Sequence, residues 1–305
     1  MSGDRLLEIG WPVTQAQSGT EQVQLGFAAD VSGRTWLRHQ RVAYPFHVGR
    51  SLAVPGDPAG MATVYIQCCS GGLFENDAVR ARIDCGPGAK AHLTTSAATV
   101  VHSMEVGEAT QTVEIVIGTG GLMEYLPDPT ILFPDARLSN RVRVHLGERA
   151  VALVGDTVLT HDPGYPRADN AGANSPGVSN LGRQRLRNEI AVQSSSGDLL
   201  ACDRWEAGGD AGTRLIPGIL GPYRCQASFL VLGQELPVSE LLDRIRVGLA
   251  RQFGVYAGAS SLPNDCGLVV RLLSADAADV KAGLHAAWDC ARRLLLGKEA
   301  IGRRK

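Results

Sequence analysis

The chain has 305 residues, 44% hydrophobic and 20% charged, which is enough apolar content for one large domain or two modest ones with a sizeable core. Lys and Arg total 30 against 31 Asp and Glu, so the basic excess of a nucleic-acid binder is missing. The segment MSGDRLLEIGW has no basic-then-apolar leader, and no apolar run approaches the roughly 18 residues of a membrane span, so a cytoplasmic protein is expected.

In chain order, residues 1–35 read as loop and edge strands. Strand is expected from Thr35 to His47, then a break at Val54-Pro55-Gly56-Asp57-Pro58, then strand again at Ala62–Ile66. From Gly71 to Leu146 the chain alternates apolar and polar residues: Val79, Ala81 and Ile83, then Val113, Ile115 and Ile117, then Val142, Val144 and Leu146. Period two with Gly- and Pro-rich separators marks short, half-buried strands. Without intervening helices, the expected arrangement is a layered antiparallel meander. Val151 to Leu159 is a further strand.

His161 to Gly182 is a long loop rich in Gly, Pro, Asn and Asp. Strand resumes at Arg185 and again in LLACDRWEA. Helical period appears only near the C-terminus. Leu241, Leu242, Ile245, Leu249 and Phe253 define a helix near 239–253, and Val280, Leu284, Trp288, Ala291 and Leu295 define a second near 275–296, ended by Gly297. Cys266 to Leu273 reads as strand between them. The fold class is mainly β with two C-terminal α-helices, and residues 1–305 read as a single domain.

The chemistry is sparse. The sequence contains no G-x-S-x-G elbow, no H-E-x-x-H, no C-x-x-C and no Walker loop. Gly118-Thr119-Gly120-Gly121 runs into the strand Leu122–Tyr125, not into a helix start able to cradle phosphate. The cysteines number seven, an odd count without framework spacing, and read as reduced and mostly buried, Cys68-Cys69 among them. His92 and His102 flank Thr94-Thr95-Ser96; a hairpin joining them with Glu124 or Asp128 could hold a borderline metal ion. Asp77, Glu124, Asp128 and Asp135 lie in or beside turns, where a carboxylate can serve either as a turn cap or as a weak oxygen ligand.

These residues also carry a resemblance. Gly71-Gly72-Leu73-Phe74-Glu75-Asn76-Asp77 resembles the GGL-x-x-GD turn of the UreD (UreH) family of urease accessory proteins. Leu93 to Thr99 resembles that family's LTTQAAT segment, Met123 to Pro127 its LEWLP segment, and Ala287-Trp288 through Gly297 its closing helix. The blocks stand in family order. Departures are Asn76 for the usual Gly, Val100 where Lys is common, Asp128-Pro129 for Gln-Glu, and a missing tail after the closing helix.

The resemblance implies a β-rich scaffold with β-helix-like winding and no catalytic role. It implies a urease maturation factor that binds a UreF-type accessory protein, through it a UreG-type GTPase, and apo-urease. Nickel would be in transit, with no permanently bound cofactor, along a path of oxygen donors: Asp77, Thr94, Thr95, Glu124 and Asp128. Two other readings of the residues stand beside it. One is a metal-dependent β-sandwich hydrolase using His92, His102 and Glu124; the other is a β-rich protein-binding module with no metal role.

Overall fold

The computed structural model describes residues 21–161, 184–208 and 220–303. The loop expected at 161–182 therefore lies outside the described residues except for His161, as do residues 1–20. The chain winds as a solenoid between two main sheets. Among the described residues, one has seven strands and the other ten. On the first sheet lie β1 (Val23–Ala29), β2 (Thr35–Val42), β5 (Ala78–Cys85), β8 (Ala109–Ile117), β11 (Arg137–Leu146), β13 (Arg185–Ser194) and β14 (Leu199–Gly208). On the second lie β3 (Phe46–Val48), β4 (Ala62–Cys68), β6 (Lys90–Thr95), β9 (Leu122–Tyr125), β12 (Val151–Thr160), β15 (Cys225–Leu232), β16 (Tyr256–Ser261) and β17 (Gly267–Ser274).

The short strands β7 (Thr99–Val101) and β10 (Thr130–Leu132) close a third ladder at one corner, running from Leu73 to the end of β12. Gly72 opens this corner at φ 137° with its Cα against the Val100 carbonyl, a place where a side chain has no room.

The mainly β class, the winding and the helices α1 (Val238–Leu249) and α2 (Ala277–Leu296) agree with expectation. The antiparallel meander does not. β5, β8, β11 and β13 pair in parallel on one sheet, and β4, β6, β9 and β12 do so on the other. Each strand crosses to the opposite sheet before the chain returns, so like strands meet one coil later in the same direction. Among the described residues, antiparallel pairing is found at flanking strands such as β1–β2, β13–β14 and β12–β15–β17–β16. β1 is not an edge strand, because it lies between β5 and β2.

Parallel register stacks like on like. Leu25, Ile83, Ile115, Val144 and Val192 stand side by side on five strands, each at most 1% exposed. Period two repeats the column two residues on, where Phe27, Cys85, Ile117 and Leu146 line up. Burying each such side chain contributes about 1.5–3 kcal/mol. The inner face of the second sheet, with Val64, Leu93, Met123 and Leu230, closes the core.

The outer face of the second sheet carries the helices. Leu153, Phe229, Val231, Val270 and Leu272 meet Leu241 and Ile245 of α1 and Val280, Ala287, Trp288 and Ala291 of α2. Asp276 caps α2 by accepting a hydrogen bond from the Ala278 N–H, and Gly297 ends it in the left-handed conformation. α1 stops at Leu249, so Phe253 lies beyond it and is exposed instead of completing the apolar stripe. The cysteines divide: Cys85, Cys225 and Cys266 are buried, whereas Cys68, Cys69 and Cys202 are exposed, contrary to the core reading of the adjacent pair.

A polar ladder also crosses the coils. Gln111 Nε2 donates to Asn140 Oδ1 at 3.2 Å, Asn140 Nδ2 to Asn188 Oδ1 at 2.7 Å, and Asn188 Nδ2 to Asp156 Oδ2 at 2.6 Å. Burial pushes the Asp156 carboxyl up to about 6, against the lowering effect of the Asn188 bond. The folded state therefore holds a proton that the unfolded chain releases above its ordinary pKa of 3.8. Stability from this group is greatest below that value and falls as pH rises toward 6, by about 3 kcal/mol in all. Asp156→Asn, which stays neutral, should abolish this part of the decline between those limits; urea unfolding across the range measures it.

Candidate functional site

The register of the second sheet sets His92 of β6 directly beside Glu124 of β9. Both are buried, at 1% and 0% exposed. Glu124 Oε2 accepts from His92 Nδ1 at 2.6 Å and from Arg292 Nη2 at 2.7 Å. Its Oε1 accepts from Arg292 Nε at 2.7 Å and from Trp288 Nε1 at 3.3 Å. The carboxylate thus has four donors, which is about its full acceptor capacity.

A second carboxylate extends the cluster. Asp57, in the Pro/Gly loop before β4, accepts on Oδ1 from Arg292 Nη1 at 3.0 Å and from Arg303 Nη2 at 2.9 Å. Thr63 Oγ1 donates to its Oδ2 at 3.0 Å. Arg303 Nε in turn donates to His92 Nε2 at 3.2 Å. With an N–H of Arg303 on one ring nitrogen, the proton of a neutral imidazole sits on Nδ1, facing Glu124. Burial holds the His92 pKa below its ordinary value and outweighs the pull of Glu124.

Burial works against the Glu124 charge too, yet the His92 and Arg292 hydrogen bonds prevail and its pKa falls to about 2. Two guanidinium groups and two carboxylates balance, with the Arg292 guanidinium 4.7 Å from the Trp288 ring centre. Chemically this arrangement is a lock. It ties the 57 loop, two coils, α2 and the tail around residue 303 into one unit. Beside it a cleft of about 560 Å³ is lined by His92, Leu126, Asp128, Lys281, Trp288 and Arg303, among others.

The expected site residues separate in space. Thr94 is buried on β6. The next residue, Thr95, accepts on Oγ1 from the Asp128 N–H at 2.8 Å, joining two coils. Asp77 instead serves the corner turn, where its Oδ2 accepts from the Phe74 N–H at 2.8 Å. His92 and Glu124 do meet, but His102 does not join them. It stacks on Phe74 at the third ladder with ring centres 4.4 Å apart, and its Nε2 is 3.2 Å from the Gly71 carbonyl. The parallel winding, which replaces the hairpin, sends the two histidines to different corners. Among the described residues no three His, Cys, Asp or Glu side chains are grouped as metal ligands.

Sequence reasoning missed Arg292, Asp57 and Arg303. Arg292 left a signal, since it falls four residues after Trp288 on the apolar stripe of α2, and a charge on such a stripe requires a buried counter-charge. Asp57 in a turn-rich loop and Arg303 in a basic run left none.

A parallel solenoid capped by two helices, with a buried ionic lock between coil and cap, defines a helix-capped β-solenoid class. The sequence model described as UreD urease accessory protein matches residues 19–305. Urease accessory protein UreD 1 of Pseudomonas syringae pv. syringae is 41% identical over 281 residues, covering 92% of this chain and 94% of that protein. Urease accessory protein UreD 3 of Bradyrhizobium sp. is 32% identical over 275 residues, 90% and 91% of the two chains. Urease accessory protein UreD of Haloarcula marismortui is 32% identical over 288 residues, 93% and 89%. The chain belongs to the UreD family of urease accessory proteins.

Arg292→Met would strand Glu124 and Asp57 without their shared cation and should cost about 3–5 kcal/mol in urea unfolding. Adding Glu124→Gln should recover part of that loss, since the pair forms one coupled unit. The Glu124 contribution is present above its ordinary pKa of 4.5 and should disappear as pH falls toward 2.

Proposed function

We propose that this urease accessory protein is a non-enzymatic scaffold that hands nickel to apo-urease. It works in the cytoplasm with a UreF-type accessory protein and, through it, a UreG-type GTPase. The observation that carries this reading is membership of the UreD family over nearly the whole chain. The residues support it in kind. A nickel path must replace part of the ion's hydration with oxygen donors and must still release the ion; thiolates and paired imidazoles would retain it.

Thr94, Thr95 and Asp128 offer such donors on adjoining coils, beside the cleft that Asp128 lines. Asp77 would serve at the corner turn. Glu124 has its acceptor positions filled, so nickel would reach it only by displacing His92, Trp288 or Arg292. No described helix is long and apolar enough to cross a membrane.

The test is nickel measured on urease recovered from cells expressing the whole set of urease proteins. Without this chain, urease should be recovered nickel-poor. Thr95→Val and Asp128→Asn should lower nickel per urease while the variants still co-purify with urease and the accessory proteins. Full nickel loading without the chain would end the scaffold reading; full loading by both variants would end the path alone.

A further inference from the structure

The third ladder aligns Leu73, Val101, Leu132 and Thr160 on successive coils. Leu73, Val101 and Leu132 point inward and are at most 2% exposed. One residue further on, alternation turns the side chain outward, and every coil has a ring there: Phe74, His102, Phe133 and His161. The backbone keeps them aligned, since His102 N–H donates to Leu73 O, Phe133 N–H to Val101 O and His161 N–H to Leu132 O. The rings form a continuous column. Phe74 and His102 are parallel within 5° at 4.4 Å, His102 meets Phe133 edge-on at 5.6 Å, and Phe133 meets His161 at 4.9 Å. The column opens to solvent at both described ends, with Phe74 46% exposed and His161 exposed.

Carboxylates follow the rings along the chain. Glu75 and Asp77 come after Phe74, Glu105 and Glu108 after His102, and Asp135 after Phe133. Glu75 is held in place by the backbone N–H groups of Gly107, Val106 and Glu105, which lower its pKa and keep it charged. Among the described residues, cations at this corner include Arg137, which donates to the Val106 carbonyl, and Arg187, 3.8 Å from Glu108. Among the described residues, the exposed Glu105 and the anchored Glu75 set carboxylates beside the ring column. Aromatic faces attract cations, and flanking carboxylates add Coulomb attraction and hydrogen-bond acceptors.

We propose that this corner docks an arginine-bearing segment of a partner protein, its guanidinium groups laid on the ring column and paired with the flanking carboxylates. The surface shares Asp77 with the proposed nickel path, and the ring column with its other carboxylates does not rest on that path. Arginine is favoured over lysine because its planar guanidinium both stacks on rings and forks onto carboxylates.

The probe is a short synthetic peptide of alternating arginine and glycine, titrated calorimetrically into the full chain at low salt, beside its lysine and glutamate counterparts. The arginine peptide should bind best and the glutamate peptide not at all. Phe74→Ala and the volume-keeping Phe74→Leu should each weaken binding by about two- to fivefold, and Phe74→Trp should tighten it. Glu105→Lys, at an exposed position, should weaken it as well. The proposal is overturned if the arginine peptide does not bind, if lysine serves equally well, if the glutamate peptide binds, or if the Phe74 variants bind like the unaltered chain. Phe74→Leu keeps the test decisive where Phe74→Ala disturbs the fold.

Discussion

In-register stacking of successive coils is the constraint on which the structure depends. Because each strand lies beside its counterpart one coil away, a residue type chosen once is presented again at a fixed spacing. Apolar choices become the Leu25–Val192 column, amide choices become the Gln111–Asn140–Asn188 ladder, and ring choices become the corner column. The same rule sets His92 against Glu124, neighbours in register although 32 residues apart in sequence. A slip of one residue would turn each of these sets to the wrong face.

The lock solves a second problem. A solenoid made only of coils has bare sheet faces, and here the outer face of the second sheet is apolar through Leu153, Phe229 and Val270. The helices cover it by hydrophobic contact, which is not directional. Arg292 supplies direction. Its fork onto Glu124 and its bond to Asp57 fix the rotation and height of α2 over the coils, and the chain beyond Gly297 is then drawn back so that Arg303 closes over His92. Buried charge is costly to arrange, and specificity of docking is what this arrangement supplies in return.

Much of the fold was legible because local pattern and final structure agree. Val113, Ile115 and Ile117 alternate in sequence and face the core, and the α2 stripe with its Gly297 stop is helical where the period says so. Strand direction was not legible. Alternation has the same form in parallel and antiparallel pairs, and the crossings that separate them are short turns without helices. At the site, the bond from the Asp128 N–H to Thr95 Oγ1 had no counterpart in the pattern, and His102 left its assigned partners because a coil, unlike a hairpin, does not fold back on the next strand. Arg303 resembled an ordinary basic tail; only the three-dimensional proximity of His92 and Asp57 gives it a structural role.

The connection between Glu124 and Arg292 spans 168 residues. During synthesis at about 5–20 residues per second, β9 therefore leaves the ribosome on the order of ten to thirty seconds before its guanidinium partner exists. Glu124 waits through that interval for its guanidinium, and the apolar face completed by Phe229 and Val270 is closed only when the last helix arrives to cover it.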